Sequence, residues 1–126
     1  MDPRDEQGKL WMNGTLIPWQ DATIHFMSHV VSYGSSVFEG IRCYETPKGP
    51  SIFRLGDHIR RMMDSARIYR MPIPYSQEEI MAACRNVIKV NQLRSAYLRP
   101  IAFRGYNTLG VNPVKCPVDV VIGALN

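Results

Sequence analysis

Residues 33–44 have the sequence YGSSVFEGIRCY, and from Ser36 onward their side chains follow a pattern with a period of two residues. Because successive side chains of a strand point to opposite faces, this alternation, with its β-branched and aromatic residues, predicts a β-strand. Its two faces would carry Val37, Glu39, Ile41 and Cys43 on one side, and Phe38, Gly40, Arg42 and Tyr44 on the other. A glycine inside a strand leaves room for a ligand or a second backbone. A bulge at Gly40 beside a solvated Arg42 is the simpler interpretation.

The length and composition predict one globular domain. The chain has 126 residues, of which 45% are hydrophobic, and this suffices to bury a core without disulfide bonds or other cross-links. Its three cysteines are widely spaced and odd in number, which argues against a disulfide framework or a zinc site. Unpaired cysteines are typical of a reducing compartment, so we expect a cytoplasmic protein.

The charge distribution favours small anions as partners. The net charge is +4, and the arginines are scattered between Arg42 and Arg104 instead of forming a basic tail. Scattered arginine is a weak nucleic-acid signal, whereas guanidinium groups pair well with carboxylate and phosphate. The charged first residues lack the apolar segment of a signal peptide, and no apolar run approaches the ~18 residues of a membrane span. We therefore expect neither nucleic acid nor a membrane as a partner.

The N-terminal part of the chain indicates a lead-in followed by a hairpin. Residues 1–9 are predicted to be frayed or disordered. Strand-like runs then flank Asn13 and Gly14, a dipeptide that strongly favours a two-residue hairpin turn. Further on, His25 and His29 are four residues apart and could share a helical face. Such a pair without acidic or cysteine partners more often packs than binds metal, so no metal site is predicted.

A first amphipathic helix is predicted after a turn at residues 46–50 and a short strand at residues 51–54. Apolar residues at spacings of four and three form one stripe of this helix. The stripe consists of Leu55, Ile59, Met62, Ala66 and Tyr69. Because proline cannot continue a helix, Pro72 and Pro74 would end it.

A second amphipathic helix is predicted by a capping box, in which Ser76 is the N-cap and Glu79 lies three residues later. The helix would stop near Asn91. Its inner side would carry Ile80, Cys84, Val87 and Ile88. Both helices would therefore bury one face against the rest of the chain.

Two further strands are predicted after the helices. Residues 95–104 alternate and would place Tyr97, Arg99, Ile101 and Phe103 on one face, while Pro100 argues for an edge or bulged position. Residues 118–125 are nearly continuously apolar and predict a buried strand. Strands, then two helices, then strands predict an α+β fold: an antiparallel-rich sheet with two amphipathic helices packed on one face.

The sequence contains none of the usual short catalytic motifs. It has no GxSxG elbow, no phosphate-binding P-loop and no HExxH zinc motif. What remains is a set of residues that could bind a small carboxylate with an apolar side chain. Arginine would take the charge and aromatic rings the hydrocarbon. The set consists of Arg42, Arg61, Arg99, Phe38, Tyr97 and Tyr33.

Several segments together resemble the branched-chain amino acid aminotransferases, in the bacterial branch of the fold-type IV pyridoxal phosphate enzymes. The segments are His25–His29, Tyr33–Tyr44, Lys48–Pro50, His58–Arg61, Ser65–Tyr69 and Tyr97–Pro100. The similarity extends from about Leu10 to Leu125. It implies that residues 10–126 form the small N-terminal domain of such an enzyme, with pyridoxal 5'-phosphate as its cofactor.

The resemblance implies a role for each matching position. Arg61 would contact the cofactor phosphate, and Tyr97 and Arg99 would recognise substrate carboxylates, above all the distal carboxylate of glutamate and 2-oxoglutarate. Phe38 would form an aromatic wall of the pocket. Tyr33 and Val111 would be supplied to a pocket across a dimer interface, and Leu109 stands where relatives often have methionine. Gly40 and Arg42 would face the pocket without an assigned role.

The family's chemistry requires a lysine that bonds covalently to the cofactor, and this lysine belongs to a C-terminal domain. The lysines of this chain, Lys9, Lys48, Lys89 and Lys115, do not match its context. The resemblance therefore implies that the lysine-bearing domain is absent here, that this chain contains no catalytic residue, and that it is inactive alone.

The resemblance also implies the reaction of the parent enzyme. That enzyme would be a homo-oligomer that exchanges the amino group between leucine, isoleucine or valine and 2-oxoglutarate. D-amino acid aminotransferase and aminodeoxychorismate lyase, which share the fold, are alternatives. A non-catalytic binding or assembly domain is a third.

Overall fold

A computed structural model describes residues 8–126, which form seven β-strands and three α-helices. The strands are β1 (Lys9–Met12), β2 (Thr15–Pro18), β3 (Ser36–Phe38), β4 (Ile41–Thr46), β5 (Gly49–Ile52), β6 (Ala96–Arg104) and β7 (Val118–Leu125). The helices are α1 (His29–Tyr33), α2 (Leu55–Ile68) and α3 (Gln77–Val90). Most of the expected lead-in, residues 1–9, lies outside the described residues, and Lys9 already opens β1.

The strands form one antiparallel sheet in the order β2-β1-β7-β6-β4-β5, with β3 also paired to β6. The two long helices pack against each other, and α3 contacts β1, β7 and β6. Their apolar faces and one face of the sheet enclose the core, which includes Ile41, Leu98 and Ile122. The predicted α+β architecture is confirmed.

Strands β3 and β4 lie end to end along β6. Phe38 is opposite Ile101 and Ile41 is opposite Leu98, so two residues on each strand span the interval and no bulge is inserted. Glu39 N donates to the Pro100 carbonyl at 3.1 Å, but proline has no N–H to return a bond. The ladder is interrupted there for that reason.

The prediction that Pro100 marks an edge or bulged strand is wrong. Strand β6 lies inside the sheet, with β7 on one side and β3 and β4 on the other. The Pro100 carbonyl faces β3 and β4, so its missing donor falls in the gap between them and costs no bond to β7.

Helix α2 differs from its prediction at the C-terminal end. Four residues of the expected stripe are buried, but Tyr69 is exposed. The helix ends at Ile68, before the prolines, and Arg70 adopts a left-handed conformation with φ of 53°. Tyr69 is the C-cap and still donates to the Ser65 carbonyl, but its ring is exposed, and the left-handed Arg70 ends the helix directly after it.

Helix α3 follows its prediction closely. Ser76 Oγ accepts from Glu79 N at 3.1 Å, and Ser76 N donates to Glu79 Oε1 at 3.4 Å, which completes the capping box. The four inner residues are buried, and Asn91 is the C-cap. The Asn91 side chain is fully buried and hydrogen-bonds the backbone of Lys9, which ties α3 to β1.

Two hairpins have their turns at the expected places, and the second turn is shorter than expected. Asn13 and Gly14 have φ of 49° and 99°, the positive values that a two-residue turn between β1 and β2 requires. The turn after β4 is shorter than predicted, because β5 already begins at Gly49 and ends at Ile52. None of the helices formed by residues 8–126 is long and apolar enough to span a membrane.

Candidate functional site

The sheet face opposite the two long helices carries aromatic, cationic and small side chains from neighbouring strands. Their positions follow from the register, because alternate residues share a face and β3 and β4 pair with β6. Strand β3, the interval after it and β4 contribute Phe38, Gly40, Arg42 and Tyr44, and β6 contributes Tyr97, Arg99, Ile101 and Phe103. The sequence predicted both groups, and the register brings them together.

Arg99 is the central cation of this face. Its Nη2 donates to the Tyr97 hydroxyl at 2.7 Å, and its guanidinium carbon lies 4.3 Å from the Phe38 ring centroid and 5.4 Å from that of Tyr97. Within residues 8–126, no carboxylate lies within ion-pair distance of Arg99. A permanently charged group fixed beside two rings is suited to bind a small carboxylate.

Gly40 provides the space that the Tyr97 ring occupies. A Cβ atom built on Gly40 would clash with the Tyr97 hydroxyl and lie 3.0 Å from the ring carbon Cζ. The interval that the sequence left open for a ligand or a second backbone is thus filled by Tyr97. Arg42, the next residue on this face, packs its guanidinium over the Tyr44 ring at 5.7 Å.

Arg61 is not part of this cluster, which corrects the grouping of the three arginines expected from the sequence. It belongs to α2 and reaches the sheet from the helix side, where Glu39 points. Its Nε and Nη2 donate to the two Glu39 oxygens at 2.8 and 2.6 Å. His58 Nδ1 lies 2.8 Å from Glu39 Oε1.

This arrangement fixes the Arg61 guanidinium without hiding it. The Glu39 side chain is 5% exposed, whereas that of Arg61 is 70% exposed. Hydrogen bonds from Arg61 lower the pKa of the Glu39 carboxyl most strongly; burial acts against this, and the His58 hydrogen bond lowers the pKa further. Two of the guanidinium N–H groups are engaged, and the others are available to an anion.

A cavity of about 370 Å³ lies beside Arg61 on the outer surface of α2. It is lined by Arg54, Asp57, His58, Arg60, Arg61 and Asp64. Arg54 and Arg60 both contact Asp57, at 2.8 and 3.6 Å. The lining is polar throughout, which is compatible with a phosphate group.

The low pKa of Glu39 leads to a prediction about acid stability. A group whose pKa is lower in the folded state contributes stability above its unfolded pKa, about 4.3 for Glu. That contribution is lost as the pH falls through the folded value. We expect Glu39→Gln to be less stable than wild type near pH 7, with a difference that shrinks below about pH 4.3. Urea unfolding between pH 3 and 7 measures it.

The exposed Glu78→Gln variant is the control for losing one carboxylate, and it should leave the stability curve nearly unchanged. A Glu39→Gln variant with the same pH dependence as wild type would contradict the role of this pair.

Tyr33, Leu109 and Val111 form a second exposed group, at the end of α1 and in the segment between β6 and β7, residues 105–117. A hydrogen bond from His29 Nε2 to the Val111 carbonyl, at 2.7 Å, joins the two elements. The other ring nitrogen of His29 lies 2.7 Å from Ser35 Oγ.

The two histidines do not share a helical face as the sequence suggested. His25 precedes α1, and its ring stacks on Phe26 and Tyr106 with centroid distances of 5.2 and 4.5 Å. His29 is buried and hydrogen-bonded. Across residues 8–126, no three histidine, cysteine or acidic side chains are placed to hold a metal ion.

Sequence reasoning missed the roles of Glu39, His58 and His29. A signal for Glu39 was present, because the alternation put a carboxylate on the same face as Val37, Ile41 and Cys43. A charged residue on a buried face requires a partner, and α2 supplies Arg61 and His58. Neither partner could be chosen from helical periodicity alone.

Comparison with known proteins places these residues in context. The family model for amino-transferase class IV matches residues 36–126. The branched-chain-amino-acid aminotransferase of Escherichia coli (strain K12) is 52% identical over 116 residues, which cover 91% of this chain and 38% of that protein. The Pseudomonas aeruginosa enzyme of the same name is 45% identical over 124 residues, covering 98% and 40%.

Solved structures are similar over nearly the whole chain. The crystal structure of the Escherichia coli branched-chain amino acid aminotransferase has a TM-score of 0.90 at 51% identity, covering 93% of this chain and 39% of that one. The branched-chain amino acid aminotransferase from Thermoproteus uzoniensis, crystallised with norvaline, has a TM-score of 0.88 at 31% identity, covering 93% and 40%. The chain thus spans about two fifths of the length of the relatives it matches.

Proposed function

The chain belongs to the class IV amino-transferase family, and from this we propose that it is part of a branched-chain amino acid aminotransferase. The full-length protein would exchange the amino group between leucine, isoleucine or valine and 2-oxoglutarate. The observation that carries the proposal is Arg99, a cation without an ion-pair partner among residues 8–126, fixed between Tyr97 and Phe38.

The two substrates of such an exchange make opposite demands on one pocket. A branched aliphatic side chain gains from contact with apolar surface, whereas the distal carboxylate of glutamate needs a cation and hydrogen-bond donors. Phe38 offers an exposed ring, and Arg99 lies over that ring with its charge available. Arg99 would therefore bind the carboxylate, and the Phe38 ring would take the hydrocarbon.

The residues present fit pyridoxal 5'-phosphate as the cofactor. Arg61 is held by the buried Glu39 carboxylate and keeps free N–H donors beside a cavity that three arginines line, which suits a phosphate. When bound, the cofactor supplies the electron sink that amino-group transfer requires. Arg61 would hold its phosphate, and Glu39 would keep the guanidinium in place.

We further propose that the lysine that bonds to the cofactor lies in a C-terminal domain, and that residues 1–126 alone do not transaminate. This is supported by the two-fifths coverage of the relatives. The full-length protein would be a homo-oligomer. It would also be cytoplasmic, because its cysteines at 43, 84 and 116 are free and buried. Burial raises the pKa of the Cys84 thiol to about 12, so that thiol stays protonated.

The proposed function is tested with the full-length protein and added pyridoxal phosphate. Transfer from L-leucine to 2-oxoglutarate is the expected activity. Preferential use of D-alanine would assign the chain to the D-amino acid branch of the fold instead. Absence of transfer from any amino acid, with the cofactor bound, would overturn the assignment.

The role of Arg99 predicts a selective loss in the full-length protein. We expect Arg99→Gln to lower kcat/KM for glutamate and 2-oxoglutarate by about 100-fold, because a hydrogen-bonded charge pair is worth about 1.5–3 kcal/mol. The loss for leucine should be much smaller. Steady-state kinetics with each substrate measure the difference.

Arg94→Gln is the control, since Arg94 is also exposed but hydrogen-bonds Glu45 at the far end of β4. It should leave all substrates unaffected. Equal losses of activity for leucine and glutamate in Arg99→Gln would show that Arg99 does not distinguish the carboxylate.

A further inference from the structure

His29 is a buried histidine that the proposed function leaves without a role. The residue is 6% exposed, and it lies at the first position of α1. Its backbone N donates to the Gly105 carbonyl at 3.2 Å, and its ring lies 4.6 Å from the Tyr33 ring, centroid to centroid. His29 thus contacts Tyr33, at the other end of its own helix, and also the segment of residues 105–117.

The hydrogen bonds of His29 define its tautomer. The Val111 carbonyl can only accept, so His29 Nε2 must carry a proton to bond it at 2.7 Å. In the neutral ring, Nδ1 is then an acceptor, and the Ser35 hydroxyl donates a hydrogen bond to it at 2.7 Å. Ser35 in this way fixes the ring orientation in which Nε2 reaches Val111.

The base of the 105–117 segment is secured separately. Gly105 N donates to the Pro117 carbonyl at 2.8 Å, Asn107 Nδ2 to the Lys115 carbonyl at 2.6 Å, and Arg104 Nη1 to the Cys116 carbonyl at 3.0 Å. The tip carries Leu109 and Val111, two residues that are 77% and 72% exposed. Because these two residues are exposed, their burial does not hold the tip in place. The hydrogen bond from His29 to the Val111 carbonyl does.

We propose that His29 is a positioning residue for the substrate pocket. It holds the tip of the 105–117 segment against α1, so that Tyr33, Leu109 and Val111 present one preformed apolar wall. The substrate role of that wall is the one that the family resemblance implies for these three residues, and in that respect the inference rests on the proposed function. The hydrogen bonds of His29 stand independently of it.

The test uses the full-length protein and the variant His29→Phe, which keeps a ring beside Tyr33 and removes both side-chain hydrogen bonds. In hydrogen exchange, amides of residues 107–112 should exchange at least about tenfold faster, while those of β6 and α2 keep the wild-type rates. The KM for leucine should rise about tenfold with kcat within about twofold, because a preformed binding surface is lost and the reacting groups are untouched.

His25→Phe is the matched control. The phenylalanine ring can still stack on Tyr106, and the bond that is lost, from Met27 N to His25 Nδ1, does not involve the tip. It should match wild type in both measurements. Ser35→Ala is a second variant in case His29→Phe does not fold; it removes the Ser35 hydroxyl that orients the ring and should give a smaller change, about threefold, in the same amides.

The outcomes separate this inference from the proposed function. Wild-type exchange rates in His29→Phe, or equal acceleration along the whole chain, would overturn the positioning role. Faster exchange at the tip with an unchanged KM would overturn it as well. A wild-type protein without leucine activity would remove the proposed function, and the exchange data would still decide whether His29 holds the tip.

Discussion

Replacing Gly40 with alanine is expected to lower kcat/KM of the full-length protein by about 100-fold while leaving the fold intact. The added Cβ would clash with the Tyr97 hydroxyl and lie 3.0 and 3.2 Å from the ring carbons Cζ and Cε2. The partly exposed Tyr97 ring can turn away, so the cost to stability should stay below about 3 kcal/mol, the upper end of the range for overpacked sites.

The expected loss of activity has a geometric cause. When the Tyr97 ring moves, its hydroxyl leaves Arg99 Nη2, and the guanidinium loses the contact that fixes it over Phe38. A displacement of about 1 Å in a binding group can cost about 100-fold in rate. Gly40 has no left-handed backbone angle, so its requirement for glycine comes from Tyr97 alone.

Two further variants test this explanation by steady-state kinetics and thermal unfolding. Gly56→Ala is the matched control, because a Cβ there meets only Met81 Cε at an ordinary 3.7 Å. In Gly40→Ala/Tyr97→Phe the clashing hydroxyl is gone and only the tight contacts with the ring carbons remain, so the added Cβ should cost much less activity in the Tyr97→Phe background than in wild type. Wild-type kinetics in Gly40→Ala would contradict the account.

Replacing Asn91 is expected to have the largest effect on stability. Its side-chain Oδ1 accepts from Lys9 N at 2.9 Å, and its Nδ2 donates to the carbonyls of Lys9 and Val87, both at 2.8 Å. The amide thus bonds the start of β1 as a neighbouring strand would, and it also satisfies a carbonyl at the end of α3. Asn91→Ala loses three hydrogen bonds, at about 1 kcal/mol each.

Asn91→Asp should be less stable than Asn91→Ala, although aspartate has nearly the same shape. It replaces the donating amide with an oxygen that faces two carbonyl oxygens in a buried site. The folded state raises the pKa of such a carboxyl above its unfolded value of about 3.9. Its penalty is therefore complete at neutral pH and is relieved as the pH falls and the group is protonated.

Urea unfolding of the three proteins at pH 7 and pH 4 measures both expectations. Gln92→Glu, at the exposed neighbouring position, is the control for adding one negative charge at the end of α3. If Asn91→Asp is as stable as wild type at pH 7, the Asn91 amide does not bond these carbonyls.

Local patterns predicted much of this fold because its signals lie within a few residues of one another. Asn13 and Gly14 specify a turn by their backbone angles, and Ser76 and Glu79 specify a helix start by two reciprocal hydrogen bonds. The end of α2 was harder to predict from the sequence, because it depends on the left-handed conformation of Arg70, which an arginine does not require.

Features that depend on tertiary neighbours could not be predicted in the same way. Pro100 lies in an interior strand because its missing donor faces the gap between β3 and β4, a fact of strand order. The residues predicted for the candidate site were divided for a similar reason. Arg99 belongs to a strand and faces away from the helices, whereas Arg61 belongs to α2 and meets the other side of the sheet at Glu39.

The absence of an inserted residue between β3 and β4 has a consequence for how this protein can evolve. Glu39 and Gly40 are neighbours in the chain but act on opposite faces of the sheet. Glu39 binds Arg61 on the helix side, and Gly40 leaves space for the Tyr97 ring on the other side. Inserting or deleting one residue between positions 36 and 43 would exchange the two sides of everything beyond it in β4. A substitution in that stretch therefore affects one face of the sheet at a time, whereas a change of its length affects both faces at once. An insertion within residues 105–117, outside the strands, changes the face of no strand residue.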